Sequence, residues 1–320
     1  AERIKALRGH GVKDWETVKQ GSMLLTGWIK KYCQGGVGIK QSTLHCRVEM
    51  LHTVEQYIDS IHKTFITLEE VDADFCRGYV KFLRNFPNSH IKYGEPRPIS
   101  QNTSSRYLGM FSTCLNNAVR QGILRNNPMK ELDARERIQP KDGTKEYLTI
   151  EELRTLMVTD SYRPEVKAAF IFACFTGLRL SDMYRLAPKH IFKSPDGKSE
   201  YIDMEMQKTE KPVIVPLSEE AKRWLPEAKG RDIPFFDIPI TQTVIGRALR
   251  KWAEAAGIDK HISFHCSRHT FGTMMLTLGA DLFTTSKLMG HSNIHTTEIY
   301  AKIVDKKKEQ AINLIDGMFK

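Results

Sequence analysis

No apolar run in this 320-residue chain approaches the ~20 residues needed to span a bilayer, which excludes a transmembrane helix. The opening Ala1-Glu2-Arg3-Ile4-Lys5 has none of the apolar stretch of a secretory signal, so no membrane partner is expected. The six cysteines (Cys33, Cys46, Cys76, Cys114, Cys174 and Cys266) form no C-x-x-C pair. That argues against a zinc ribbon or a disulfide scaffold. Several of them fall within apolar periodic segments, where a reduced thiol acts as a small hydrophobe, and this suits a cytoplasmic protein. There is no obvious carboxylate cluster for a hard cation and no G-x-x-x-x-G-K-[ST] loop for a nucleotide, so neither metal nor cofactor is expected. Internal repeats and low-complexity tracts are absent as well.

What the chain does have is an excess of positive charge. Its 48 Lys and Arg outnumber its 38 Asp and Glu, for a net +10. That favours a polyanionic partner, although a merely basic protein would show the same balance. With 41% hydrophobic residues there is enough apolar material for two domains with full cores.

The first part reads as a helical bundle. A short apolar-rich segment, Ser22 to Cys33, stops at Gly35-Gly36. Val48, Leu51, Val54, Ile58 and Ile61 then recur at helical spacing between Ser42 and Ile61. A third helix is predicted from Leu68 to Phe86, closed by Pro87-Asn88. A fourth runs from about Asn102 to Leu124, with Leu108, Phe111, Leu115 and Val119 on one stripe. The charged stretch Ala134 to Lys145 carries Pro140 and Asp142-Gly143 without apolar period, as a linker would. Thr149 with Glu152 then forms a capping box that starts a second, mixed part. In it Val166 to Phe175 is a nearly all-apolar helix. Tyr201 to Met206 and Val213 to Leu217 are strands around the polar turn Lys208-Thr209-Glu210-Lys211, and helices follow to the end.

Three motifs bear chemistry. In His265-Cys266-Ser267-Arg268-His269, Ser263 is the expected N-cap. His265 and Arg268 share a face beside an apolar stripe of Phe271, Met274, Met275 and Leu278. A cation and an imidazole at a helix N-terminus suit a phosphate, while a stray surface pair would look the same. In Thr176-Gly177-Leu178-Arg179-Leu180-Ser181-Asp182, Gly177 can end one helix and Ser181 cap the next. Arg179 is then held in a tight turn, solvated or paired with Asp182 if it has no ligand. In Leu288-Met289-Gly290-His291-Ser292-Asn293, Gly290 permits a sharp turn, and Tyr300 follows nine residues after His291. Alone, Tyr300 would pass for a half-buried aromatic.

The ordered set TGLRLSD, a Lys in a β-turn, H-x-x-R-H, GH and a Tyr nine residues on resembles the tyrosine recombinase (phage-type integrase) family. HTF after the arginine and GHSNIHTTEIYAKI at the tyrosine agree in detail, and NTSSRYLGMFSTCLNNAVRQGILRNNP is similar to the last core-binding helix of integrases. The resemblance covers about residues 20 to 310. It implies a mainly α fold with a small antiparallel β-sheet. After an N-terminal extension (1–20) come a helical, SAM-like core-binding domain (21–133), a linker (134–146) and a mixed α/β catalytic domain (147–320). It also implies that Tyr300 is the nucleophile, forming a 3′-phosphotyrosine and freeing a 5′-hydroxyl without metal or ATP. His265 matches the general base, Arg179 and Arg268 the pair that clamps the non-bridging oxygens, and His291 a further hydrogen-bond donor to that phosphate. Lys208 matches the general acid and is preferred over Lys211 on its Gln-Lys-Thr form. Asp182 would orient Arg179 or brace its helix, His269 would be structural, and His295 would have no direct role.

Double-stranded DNA is the implied partner, held in a two-domain clamp, with Lys40, Arg47 and Arg106 as candidate contacts in the first domain. A homotetramer on DNA is implied too, assembled by exchange of a terminal helix. Lys306 to Lys320, with Ile312, Leu314, Ile315, Met318 and Phe319, fits such a helix, or one packed on its own domain. About twenty residues precede the first predicted helix, too few for the arm-binding domain many integrases carry. A type IB topoisomerase would use nearly the same site, and a catalytically dead architectural protein would keep the fold. A metal-dependent nuclease is a distant third.

Overall fold

A computed structural model describes residues 23–35, 38–88, 95, 97–141, 143, 145–291 and 293–301. The N-terminal extension, Ser292 and the terminal stretch Lys306 to Lys320 lie outside these described residues. The chain divides into two compact units, Ala1–Gly143 and Thr144–Lys320. No helix among the described residues is long and apolar enough to cross a membrane.

The first unit is built on α1 (Leu25–Gln34), α2 (Gln41–Ser60), α3 (Ala73–Arg84) and α4 (Gln101–Arg120). The α2 helix packs against all three others. Its buried face is Met50, Leu51, Val54, Tyr57 and Ile58; Val48 and Ile61, expected on that stripe, are instead exposed. Leu44, one turn before Val48, still packs against the core, so the buried face passes beside Val48 rather than ending there. The predicted Leu68–Phe86 helix starts later, at Ala73, because Asp72 caps it with a 2.7 Å bond from the Phe75 amide, and Leu68–Glu70 form a separate 3₁₀ turn. Polar groups inside the core are paired: Trp28 Nε1 donates to the Cys114 carbonyl at 3.2 Å, and the Thr53 and Tyr79 hydroxyls lie 2.6 Å apart. The beginning of the expected linker packs back on this unit. Ile138 is buried in its core and Arg137 donates to the Leu132 carbonyl.

The second unit contains α5 (Ile150–Val158), α6 (Pro164–Thr176), α7 (Leu180–Met183), β1 (Ile191–Lys193), β2 (Glu200–Glu205), β3 (Pro212–Pro216), α8 (Glu219–Arg223), α9 (Gln242–Ala255), α10 (Phe264–Thr277), α11 (Leu282–Leu288) and α12 (His295–Ala301). The capping box of Thr149 and Glu152 starts α5. The apolar α6 is buried and packs against α10, which is itself buried along most of its length. The three strands form an antiparallel sheet in the order β1-β2-β3, with Met204 opposite Val213. Strict alternation turns Ile202, Met204, Val213 and Val215 inward, while Asp203, Glu205 and Ile214 face out, so one face of the sheet covers the core. The short edge strand β1 has no apolar alternation to reveal it; the turn through Gly197 joins it to β2.

Candidate active site

Five segments deliver the side chains. Gly177 ends α6 in the left-handed region (φ 69°), where a Cβ would also meet the Phe271 ring. The chain then turns sharply, and Arg179 itself occupies the N-cap position of α7. Ser181, expected to cap, lies inside the helix instead. Lys208 sits on the β2–β3 turn, which is closed by the Met206 amide on the Lys211 carbonyl and the Glu210 amide on the Met206 carbonyl. His265, Arg268 and His269 come from the first turns of α10, and Gly272 follows one turn later on the same face. Ser263 holds the N-cap position of that helix without a side-chain bond. His291 follows the Gly290 turn after α11, and Tyr300 lies in α12.

Arg179, Lys208 and His265 line one recess of about 400 Å³, together with Ser181, Gln242 and Ser263. Lys211 is not among its lining residues. Arg268 is buried rather than on a surface face beside the stripe, because α10 is enclosed nearly all round; Leu278, expected in the apolar stripe, is the exposed end. The Arg268 fork bridges two segments, donating from Nη1 to the Gly177 carbonyl and from Nη2 to the Met289 carbonyl. It thus ties the Arg179 turn to the segment that leads into His291. Arg179 Nη1 lies 3.0 Å from Met206 Sδ, next to the lysine turn.

Asp182 is fully buried, and its Oδ1 accepts the Gln207 amide at 2.9 Å. Its charge favours the Arg179 and Arg268 cations, and the bond to Gln207 also ties it to the turn carrying Lys208. His291 Nδ1 is 2.7 Å from the Thr297 hydroxyl, which links it to α12. Tyr300 is 2% exposed and its hydroxyl lies 3.0 Å from His269 Nδ1. Its ring rests on Gly272, where a Cβ would come within 2.8 Å of it. His269 and Gly272 share a helix face by their spacing, but that Tyr300 packs on that face is set by the tertiary fold. His295 pairs with Glu298 on the surface of α12.

Positive charge dominates the electrostatics. Burial, then the charges of Arg268, Arg179, Lys208 and Lys145, push His265 down to about 4, although the residue keeps solvent exposure. Burial likewise takes His269 and His291 down to about 4, helped in both by Arg268. Burial pushes the Tyr300 phenol up to about 12, opposed by Arg268 and Arg179. The Arg268 guanidinium falls to about 9 through burial and the Arg179 charge, and is still cationic at neutral pH. Lys145, at the start of the unit, is a cation of this neighbourhood that the sequence reading left in the linker. Neutral imidazoles among fixed cations make a site that gains from an anion and can accept protons once one is bound. Among the described residues, no cluster of His, Cys, Asp or Glu could hold a metal.

In the first unit, Arg47 stacks on Tyr32 (4.1 Å) and donates to the Tyr32 and Gly35 carbonyls, so it closes the end of α1. It also lines a recess of about 450 Å³ with Lys31 and Arg120, which the sequence reading had not picked out. Lys40 is exposed at the N-cap of α2, and Arg106 is exposed on α4.

A helical unit followed by a mixed unit with a cationic recess fits a broad class of anion-binding protein. The comparisons narrow it. Residues 146–307 match the model described as "Phage integrase family" and residues 24–137 the "Phage integrase SAM-like domain". The chain belongs to the phage integrase family and is a tyrosine site-specific recombinase. Among curated relatives, a tyrosine recombinase of Pseudothermotoga lettingae is 28% identical over 86% of this chain and 93% of its own length. A tyrosine recombinase XerD of Lacticaseibacillus casei is 30% identical over 58% of this chain and 67% of its own length. Among solved structures, the Tn1549 transposon integrase in complex with transposon right-end DNA superposes with a TM-score of 0.65 at 19% identity, covering 87% of this chain and 94% of that one. The XerH recombinase bound to palindromic difH gives 0.62 at 17%, covering 91% and 85%. At these identities the structural likeness speaks to the fold alone.

Proposed function

We propose that this recombinase cuts and rejoins double-stranded DNA through a 3′-phosphotyrosine on Tyr300. The phenol oxygen attacks the scissile phosphorus while Arg179, Arg268 and His291 hold the non-bridging oxygens as negative charge builds on them. Lys208 gives a proton to the departing 5′-oxygen. His265, neutral and open to the recess, serves proton transfer on the phosphate side. Asp182 holds the Lys208 turn in place. The positive field comes from the protein's own guanidiniums and ammonium, so the reaction runs without a divalent ion. The phosphotyrosine keeps the bond energy, so rejoining needs no ATP.

The observation that most supports this reading is the convergence of Arg179, Lys208 and His265, from three separate elements, on one recess. The DNA-bound state of the Tn1549 and XerH proteins supports duplex DNA as substrate. The reading extends to a cytoplasmic protein acting on mobile or chromosomal DNA as a homotetramer, with residues 306–320 as the exchanged segment and Lys40, Arg47 and Arg106 among the contacts of the first unit. Incubating a nicked suicide duplex carrying the cognate site with the wild type should yield a covalent adduct in EDTA, and Tyr300→Phe should yield none. An adduct that survives Tyr300→Phe, or one that requires added metal, would overturn the reading.

A further inference from the structure

We propose that His269 is a catalytic residue of this site: its Nδ1 orients the Tyr300 hydroxyl and takes its proton as the phenol oxygen attacks phosphorus. This rests on the reading of Tyr300 as nucleophile and settles which imidazole serves the phenol, a part the sequence resemblance gives to His265.

Geometry carries the inference. The phenol's hydrogen-bond partner is His269 Nδ1 at 3.0 Å, one helical turn beyond His265. The two imidazole rings stand nearly perpendicular with centroids 4.6 Å apart, and the His269 and Tyr300 centroids are 5.6 Å apart. Both members of the pair are buried, at 7% and 2% exposure, so the bond is fixed by packing rather than by a loose surface contact. The seat is built for it, since Gly272 has no Cβ to lift the Tyr300 ring off α10.

The other charged neighbours of the phenol are Arg268 and Arg179, and a guanidinium donates hydrogen bonds but accepts none. With the imidazole's own hydrogen on Nε2, the phenol donates to His269 Nδ1, and this is the tautomer the proposal requires. His269 is neutral in the free protein because burial and then His265, Lys145 and Arg268 disfavour its cation. A phosphate held by the same arginines offsets those cations and raises the imidazole's basicity when a proton must be accepted.

The step balances. As the bond from Tyr300 to phosphorus forms, the electrons of the O–H bond stay on oxygen and the proton passes to Nδ1. The bond from phosphorus to the 5′-oxygen breaks, and that oxygen takes a proton from the Lys208 ammonium. Rejoining returns each proton along the same path.

The test is single-turnover adduct formation by the full chain on a nicked suicide duplex, with DNA affinity and thermal midpoint measured alongside. His269→Ala should slow the covalent step about 10²-fold at unchanged DNA affinity, and added imidazole should recover much of the loss. His269→Asn, close in shape, should fold like wild type and remain slow, and it stands in for the alanine variant should that one misfold. Wild-type rates in either variant would overturn the proposal, as would a slow His269→Ala that imidazole fails to speed. Loss of the adduct's dependence on Tyr300 would instead overturn the reading it rests on, and the Tyr300→Phe control separates the two.

Discussion

Arg268 shows how much a single side chain does here. It is 2% exposed, carries a charge and holds the carbonyls of Gly177 and Met289 together. Arg268→Ala removes the donor from two buried acceptors, each worth about 1–3 kcal/mol when left unsatisfied, so the variant should lose cleavage and also melt well below wild type. Arg268→Lys keeps the charge but loses the planar fork, so it should retain more stability than the alanine variant yet still cut on the order of 10²-fold more slowly. Thermal melts beside single-turnover cleavage check both. A lysine variant that cut at wild-type rate would show that charge alone, without the fork, suffices. Arg268 stood out as a candidate in H-x-x-R-H; its burial was not legible, because a helix start rich in polar residues reads as surface until the neighbours that cover it are known.

Among the elements, the β2–β3 turn and the face of α10 matter most. Asp182 reaches from α7 to the Gln207 amide, in the turn that carries Lys208. Asp182→Ala should leave DNA affinity unchanged and slow cleavage roughly tenfold, a loss that a leaving group needing no protonation should largely erase, since proton donation is the step at stake. On α10, Gly272→Ala should push the Tyr300 ring out of its seat and cut adduct formation sharply without weakening DNA binding, measured on the same suicide duplex. The main helices, the β2–β3 hairpin and the Gly177 turn could be read from periodicity and turn chemistry. What escaped were features set by tertiary context: the exposure of Val48 and Ile61, the edge strand β1, Arg179 taking the cap position expected of Ser181, and the Tyr300–His269 pair. The last joins residues 31 apart in sequence on different helices, which no local pattern encodes.

Across the whole molecule, net positive charge and a recess of cations predict binding that weakens steeply with salt, as counterions released from DNA phosphates are paid back. The histidines add a pH dependence. His265, His269 and His291 sit near 4 in the folded protein, below the ~6.5 of an unfolded histidine. The unfolded state therefore binds more protons between these values, so stability is full above about pH 6.5 and is lost as pH falls toward 4. Melting temperature should fall over that window, and binding of DNA, whose phosphate favours the protonated imidazoles, should take up protons there. Replacing His269 and His291 with asparagine should flatten the fall, and an unchanged slope would count against the depressed pKa values as its source.

The most direct measurement is to isolate the covalent protein–DNA adduct, digest it and locate the modified peptide by mass spectrometry while testing which DNA end is free. The prediction is a phosphotyrosine at Tyr300 joined to the 3′ side of the break, with a 5′-hydroxyl on the released strand. An adduct at another residue, or a break that leaves the phosphate on the 5′ end, would contradict it.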